Sequence, residues 1–91
     1  SNIFVIQEGL IFTPPISSGC VDGIIRKKII DNAEFWGYVV EEKEMKPFEL
    51  IKAEEVFLTN SIRGIRWVQS YKKKKYQKNI TSDLYAKLMN L

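Results

Sequence analysis

Histidine is absent from the 91-residue chain, and cysteine occurs once, as Cys20. Without an imidazole, the chain by itself excludes catalytic schemes that pair histidine with serine or cysteine, and it excludes histidine-ligated metal sites. One cysteine cannot form a disulfide within the chain. A reducing compartment, the cytoplasm, is therefore the simpler expectation.

Long apolar runs are absent too, so no segment has the length that a membrane-spanning helix needs. The opening stretch lacks a basic leader and is interrupted by Gln7 and Glu8, which argues against a signal peptide. The net charge of +3 is mild. It suits an anionic ligand without requiring nucleic acid.

What remains is a globular composition, with 45% hydrophobic residues in a length that allows one modest domain. Periodicity and turn residues predict a mixed α/β (α+β) fold with strands in the majority. The first hairpin has edges that we expect to pair with chain outside these 91 residues. The predicted order is a hairpin over residues 3–6 and 10–12, a helix over 22–36, a strand over 38–42, a helical turn over 48–53, strands over 54–59 and 65–71, and a final helix that ends at Leu91. Thr81 or Ser82 is expected to cap this last helix, and its apolar face is expected at Leu84, Tyr85, Leu88 and Leu91.

The stretch from residue 13 to 28 is the most informative part of the sequence. Two prolines are followed by small residues and then by Asp22, a good helix N-cap type. The apolar face of the helix recurs at Ile25, Ile29, Ala33 and Trp36, and Gly37 suits a helix end. Such a helix start leaves backbone N–H groups unpaired beside the positive end of the helix dipole. This pattern predicts an anion site, with a plain strand-to-helix turn as the alternative.

A second turn, over residues 60–64, also follows a strand and also offers free N–H groups. Its Ser61 hydroxyl adds one more donor. Two such turns can close on the same anion if the fold brings them together.

Several motifs together give a resemblance to a known family. The series SNIF, a hairpin ending in TPP, GCVDGIIR, a helix ending in glycine, and AEEVFLTNS is similar to the C-terminal part of the class IV aminotransferases. These are pyridoxal-phosphate enzymes of fold type IV, and they include branched-chain aminotransferases and 4-amino-4-deoxychorismate lyases. The resemblance runs from Ser1 to about Val68.

The resemblance implies roles for the loop before the first helix. Val21 takes the place of a family leucine that packs on the cofactor ring. Gly23, Ile24 and Ile25 match a Gly-Ile-Thr sequence whose backbone N–H groups and threonine hydroxyl bind the cofactor phosphate. Ile25 keeps the N–H and lacks the hydroxyl.

The resemblance also assigns the second turn. Asn60 and Ser61 match the second phosphate turn, where Ser61 would donate its hydroxyl and N–H. The N–H of Ile62 would bind the substrate carboxylate. No residue of the chain matches a catalytic position of the family, and none matches a metal ligand.

The family's cofactor-binding lysine lies upstream of the matched segment. The resemblance therefore implies that residues 1–91 are the C-terminal portion of the large domain of a longer enzyme, and that they are inactive alone. The implied partners are the remainder of the polypeptide, an amino acid or 2-oxo acid substrate, and a second subunit. The intact enzyme would transfer an amino group or act as a lyase on an aminated chorismate-type substrate.

Two alternatives stay open at this point. Ile25 is compatible with a non-catalytic relative that no longer binds cofactor. The lysines at 72–75, flanked by Tyr71 and Tyr76, are compatible with a small nucleic-acid-binding module, although a solvated loop is the preferred interpretation. The glutamates at 41, 42, 44, 54 and 55 show no ligand spacing and are interpreted as surface charge.

Overall fold

The computed structural model of the chain describes residues 2–16 and 23–91. Its helices and strands confirm a mixed α/β fold rich in strands. In chain order they are β1 (Asn2–Gln7), β2 (Leu10–Thr13), α1 (Ile24–Asn32), β3 (Val40–Glu42), α2 (Pro47–Lys52), β4 (Glu55–Asn60), β5 (Gly64–Trp67), β6 (Ser70–Tyr71), β7 (Lys74–Lys75) and α3 (Asn79–Met89).

Five strands form one sheet in the order β3-β2-β1-β4-β5. The predicted hairpin of β1 and β2 is confirmed, and Gly9 in its turn has φ of +80°, which favours glycine. The expectation that this hairpin must pair with chain outside the 91 residues is wrong. β4 pairs antiparallel with β1, and β3 pairs parallel with β2, so the hairpin is the centre of the sheet.

One face of the sheet is covered by α1 and α3. The rings of Phe4 and Phe57 stack on neighbouring strands there, with centroids 4.9 Å apart. Ile29 from α1 and Leu84 from α3 are fully buried against this layer. These contacts fix both helices on the sheet, because burying such side chains is the main favourable term in folding.

The opposite face is covered by α2 and by the small β6–β7 hairpin. Val5 and Val56 face this side and pack with Ala53 and Tyr76. The Tyr76 hydroxyl donates to the Leu50 carbonyl of α2. Because β1 is buried on both faces, its side chains are apolar at successive positions and do not alternate.

The first helix is shorter than the prediction of residues 22–36. It ends at Asn32, and residues 33–37 form turns in which Tyr38 N–H donates to the Ala33 carbonyl at 2.8 Å. Gly37 has φ of +88° and reverses the chain toward β3, so this glycine ends the turns that follow the helix and not the helix itself. Asp22, the expected cap, lies outside the described residues, and Gly23 is the N-cap in the structure.

The segment after β5 also differs from the prediction. Residues 65–71 form two strands, and the lysines at 72–75 turn back as a hairpin with Lys72 at φ of +56°. Buried Tyr76 anchors this hairpin to α2, which a local pattern of four lysines does not reveal. Lys78 lies over the ring of Trp67, with Nζ 5.0 Å from the centroid.

Helix α3 begins two residues earlier than the expected cap. Thr81 lies inside it and is 3% exposed, so the prediction that Thr81 or Ser82 caps the helix is wrong. The apolar face is confirmed at Leu84 and Leu88, which pack against the core. Tyr85 and Leu91 are 46% and 62% exposed, so the prediction that both belong to this face is wrong.

Candidate functional site

The start of α1 is an uncapped helix N-terminus. Gly23 adopts an extended conformation as the N-cap, makes no side-chain cap hydrogen bond, and is followed by no acidic residue in the first turn. The first intrahelical bond runs from Lys27 N–H to the Gly23 carbonyl at 3.1 Å. The N–H groups of Ile24, Ile25 and Arg26 therefore precede the helical hydrogen-bond ladder and have no partner within the helix.

Asn2 lies directly against this helix start. A Cβ added at Gly23 would lie 2.8 Å from Asn2 Nδ2, so a larger residue would force the amide to move. Asn2 is 3% exposed, and its Oδ1 is buried with no hydrogen-bond partner among residues 2–16 and 23–91. An unsatisfied buried oxygen costs free energy and usually has a reason.

The second turn follows β4. Asn60 Oδ1 accepts hydrogen bonds from the N–H groups of Ile62, at 2.8 Å, and Arg63, at 3.2 Å. Ser61, which lies between Asn60 and Ile62, is exposed. Gly64 closes the turn with φ of +75°, a conformation that side chains rarely adopt.

The fold brings the two turns to the same end of the sheet. Asn2 pairs with Thr59 across β1 and β4, and the Thr59 hydroxyl lies 3.5 Å from the Asn2 carbonyl. The second turn starts at the next residue of β4, while the helix start contacts the Asn2 side chain. We call this region, where β1 begins and β4 ends, the Asn2 end of the sheet.

The residues singled out from the sequence fall on this end with one exception. Gly23, Ile24 and Ile25 form the helix start, and Asn60, Ser61 and Ile62 form the turn after β4. Val21, like Cys20, lies outside the described residues.

The side chains around the site divide into packed and exposed ones. Ile25 packs against the core formed with α1 and α3, so its side chain contributes packing where a threonine would offer a hydroxyl. Ile24 and Ile62 are 63% and 90% exposed, which leaves two large apolar side chains at this end of the sheet.

The amide of Ile62 has a partner already. Its N–H donates to Asn60 Oδ1, so a carboxylate bound there must share or replace that bond. The turn is ordered by its own side chain.

Sequence reasoning missed Asn2, because the apolar pattern predicts a first strand that starts at Ile3. A polar residue directly before a buried strand was the available signal. It also missed Glu55: the interpretation of the five glutamates as surface charge is wrong for this residue, which is 3% exposed. Glu55 lies at the far end of β4 and accepts hydrogen bonds from Ile80 N–H at 3.0 Å and from Thr81 N–H at 2.8 Å.

The described part of the chain offers neither a metal site nor a membrane-spanning helix. Residues 2–16 and 23–91 contain no group of three acidic, cysteine or histidine side chains that could hold a metal ion. Within the same ranges, no helix is long and apolar enough to cross a membrane.

Comparison with known proteins links this arrangement to one family. A family model described as amino-transferase class IV matches residues 1–71. Branched-chain-amino-acid aminotransferase 6 of Arabidopsis thaliana is 34% identical over 97 aligned positions, which cover 99% of this chain and 27% of that protein.

Two solved structures share the fold. One, assigned as a 4-amino-4-deoxychorismate lyase of Legionella pneumophila, has a TM-score of 0.90 and 31% identity, covering 98% of this chain and 34% of the other. The other is the branched-chain amino acid aminotransferase of Thermobaculum terrenum with pyridoxal phosphate, with a TM-score of 0.92 and 28% identity, covering 99% of this chain and 31% of the other. The chain thus spans between a quarter and about a third of the length of these three relatives.

Proposed function

This chain belongs to the class IV aminotransferase family, and we propose that it is the C-terminal portion of the large domain of a full-length enzyme that uses pyridoxal phosphate. The observation that carries the proposal is that the uncapped start of α1 and the turn with exposed Ser61 lie at the same end of the sheet, beside Asn2. The relative from Thermobaculum terrenum, solved with pyridoxal phosphate, supports the choice of cofactor.

The described residues fit a phosphate group at this end. The backbone N–H groups of Gly23, Ile24 and Ile25 would bind it at the uncapped start of α1, where the helix dipole favours an anion. Ser61 would add its hydroxyl and N–H, with Asn60 shaping the turn. The first turn of α1 carries no acidic side chain of its own that would repel a dianion.

The remaining assignments extend the same site. Val21 would pack on the cofactor ring, as the family resemblance implies. The N–H of Ile62 would bind the substrate carboxylate once its bond to Asn60 is replaced. The exposed side chains of Ile24 and Ile62 would be covered by substrate or by the rest of the polypeptide, which would keep water from the reacting atoms.

Pyridoxal phosphate supplies an electron-withdrawing ring that weakens the bonds at the α-carbon of an attached amino acid. This chain binds and orients the cofactor through its phosphate, and the groups that move protons belong to the upstream part of the enzyme. The proposed reaction is amino-group transfer between an amino acid and a 2-oxo acid.

A lyase reaction on an aminated chorismate-type substrate is the second candidate. The similarity to the Legionella pneumophila structure favours it, since its TM-score and identity are comparable to those of the Thermobaculum terrenum aminotransferase. Product analysis separates the two: transfer consumes a 2-oxo acid acceptor, and the lyase reaction does not.

The proposed compartment and partners follow from the family and from the exposed apolar side chains. We expect a cytoplasmic homodimer in which the rest of the polypeptide and the second subunit cover apolar side chains such as Phe35, which is 90% exposed here. We expect no nucleic-acid partner, and absence of binding to single-stranded DNA at low salt would agree with this.

The test is the visible absorbance of the full-length protein after adding pyridoxal phosphate. A bound-cofactor band that shifts when an amino acid is added is the expected result. A protein that shows no such band would instead be a non-catalytic relative, and Ile25 in place of threonine would then be the first position to revert.

A further inference from the structure

Arg26 is a buried arginine at an unfavourable position. It is the third residue of α1, close to the positive end of the helix dipole, where a cation is disfavoured. Its side chain is nevertheless only 5% exposed. Arginine side chains are rarely buried unless the guanidinium is paired.

The guanidinium joins three separate parts of the chain. Nη2 donates to the Pro14 carbonyl at 3.1 Å and to Glu42 Oε2 at 2.9 Å. Pro14 follows the last residue of β2, and Glu42 is the last residue of β3, where Thr13 and Glu42 are register partners. One side chain on α1 is therefore tied to the ends of two sheet strands.

These contacts bracket the loop between β2 and α1. The loop leaves the sheet at Pro14 and returns at Gly23, three residues before Arg26. The hydrogen bond from Arg26 to the Pro14 carbonyl links the two ends of this loop. It thereby fixes the position of the helix start relative to the sheet, on which Asn2 and the turn after β4 also lie.

Burial of the Arg26 side chain costs free energy. Nε of Arg26 is buried and makes no hydrogen bond within the described ranges, and an unpaired buried donor is unfavourable. Glu42 is half exposed, so its ion pair with Arg26 offsets only part of that cost. An apolar residue would fill this space without the penalty, so the value of arginine here lies in its directed contacts.

We propose that Arg26 is a positioning residue that sets the start of α1 at the distance from Ser61 that a shared phosphate requires. The proposal rests on the proposed function, because it presupposes that both turns hold one anion. The Arg26 guanidinium is directed to Pro14 and Glu42, so its proposed role is to position the helix start, without contact with the cofactor or the reacting atoms. A small displacement of the helix start is enough to lose binding, since hydrogen bonds to phosphate depend steeply on geometry.

The test compares two ligands in the full-length enzyme. Pyridoxal phosphate and pyridoxal differ only in the phosphate, so the ratio of their dissociation constants reports phosphate binding alone. Arg26→Met should lower the preference for pyridoxal phosphate by about tenfold or more, the equivalent of one charge-assisted hydrogen bond. Pyridoxal binding should change by less than about threefold, since its contacts with the rest of the site remain.

Two further variants separate positioning from general stability. Lys27→Met removes the neighbouring cation, which is 72% exposed and paired with Asp31, and should leave the ratio unchanged. Arg26→Lys keeps the charge and offers a single ammonium in place of the guanidinium, so it should recover part of the ratio. If Arg26→Met does not fold, the ratio measured for Arg26→Lys decides.

The outcomes are distinct. A wild-type enzyme that binds both ligands equally contradicts the proposed function itself, whatever Arg26 does. A wild type that prefers pyridoxal phosphate, with Arg26 variants that keep the preference or lose both ligands equally, overturns the positioning role. A selective loss of the phosphate-bearing ligand supports it.

Discussion

Gly23 shows how a single missing side chain shapes the Asn2 end of the sheet. Its φ of −104° is open to any residue, so conformation does not require glycine there. The preference for glycine comes from Asn2, whose amide nitrogen would lie only 2.8 Å from an added Cβ. The glycine therefore allows a buried polar side chain to touch the start of a helix.

Gly23→Ala should destabilise the protein by about 1–3 kcal/mol, because the added methyl forces the Asn2 amide or the helix to move. Chemical denaturation of the full-length protein measures this. The double variant Asn2→Ala with Gly23→Ala should be more stable than the sum of the two single effects predicts. Strict additivity would show that the two residues do not compete for space.

Asn60 presents a different case, because its side chain occupies amides that a substrate could use. Asn60→Gly should free the N–H groups of Ile62 and Arg63 and lower the KM for the amino acid substrate severalfold, with a smaller change in kcat. Steady-state kinetics with the full-length enzyme measures both values. A raised KM would show that ordering of the turn by Asn60 matters more than the freed donors.

Tyr38 links the segment after α1 to α3 through a hydrogen bond from its hydroxyl to Asp83. Burial, the hydrogen bond to Asp83 and the nearby negative charge raise the pKa of Tyr38 to about 12. The same hydrogen bond, with the one from Lys87, lowers the pKa of Asp83.

A raised tyrosine pKa stabilises the fold fully below the unfolded value of about 10. That contribution should be lost as the pH rises from about 10 through the folded pKa of about 12. An absorbance titration of tyrosinate measures the pKa of Tyr38 when the curve of the Tyr38→Phe variant is subtracted from that of the wild type. Asp83→Asn should move the Tyr38 pKa down, and an unchanged value would remove Asp83 as a cause.

At the scale of elements, α3 depends on one buried carboxylate. Glu55 on β4 accepts from the first-turn N–H groups of Ile80 and Thr81 and from the Thr81 hydroxyl at 2.8 Å. This is an N-terminal cap supplied by a distant strand in place of a local residue. A local pattern suggests Thr81 as the cap, but the Thr81 hydroxyl donates to Glu55, which is the true acceptor.

Glu55→Gln should cost about 2–3 kcal/mol of unfolding free energy, because the amide loses the charge and one acceptor position. The neighbouring Glu54→Gln is the matched control and should stay within about 0.5 kcal/mol, since the hydrogen bond that its carboxylate accepts from Glu8 N–H at 3.2 Å is exposed. Thermal or chemical denaturation compares them. Equal effects of the two variants would contradict the capping role.

The elements that sequence predicts well are those whose signals are local. The first hairpin follows from Gly9 between two apolar runs, and α1 follows from the spacing of Ile25, Ile29 and Ala33. The β6–β7 hairpin does not follow from its four lysines, because burial of Tyr76 against α2 decides it. Tertiary packing of one side chain outweighs the local composition there.

At the scale of the whole molecule, the sheet order decides whether the two turns can act together. The turns are 34 or more positions apart in sequence, and local patterns identify each one separately. Their meeting depends on β1 lying between β2 and β4, with Asn2 paired to Thr59. From sequence, only the family resemblance suggests that the two turns lie close together. The resemblance does not reveal Asn2, which pairs with Thr59 and lies against Gly23.

The central claim is that the start of α1 and the turn after β4 bind one phosphate, and the dissociation constant for pyridoxal phosphate tests it most directly. The full-length protein, its Ser61→Ala variant and a Ser70→Ala control on exposed β6 would be titrated side by side. We predict tight binding by the wild type and the control, and binding weakened about tenfold by Ser61→Ala. An unchanged dissociation constant in Ser61→Ala, or no binding by the wild type, would contradict the claim.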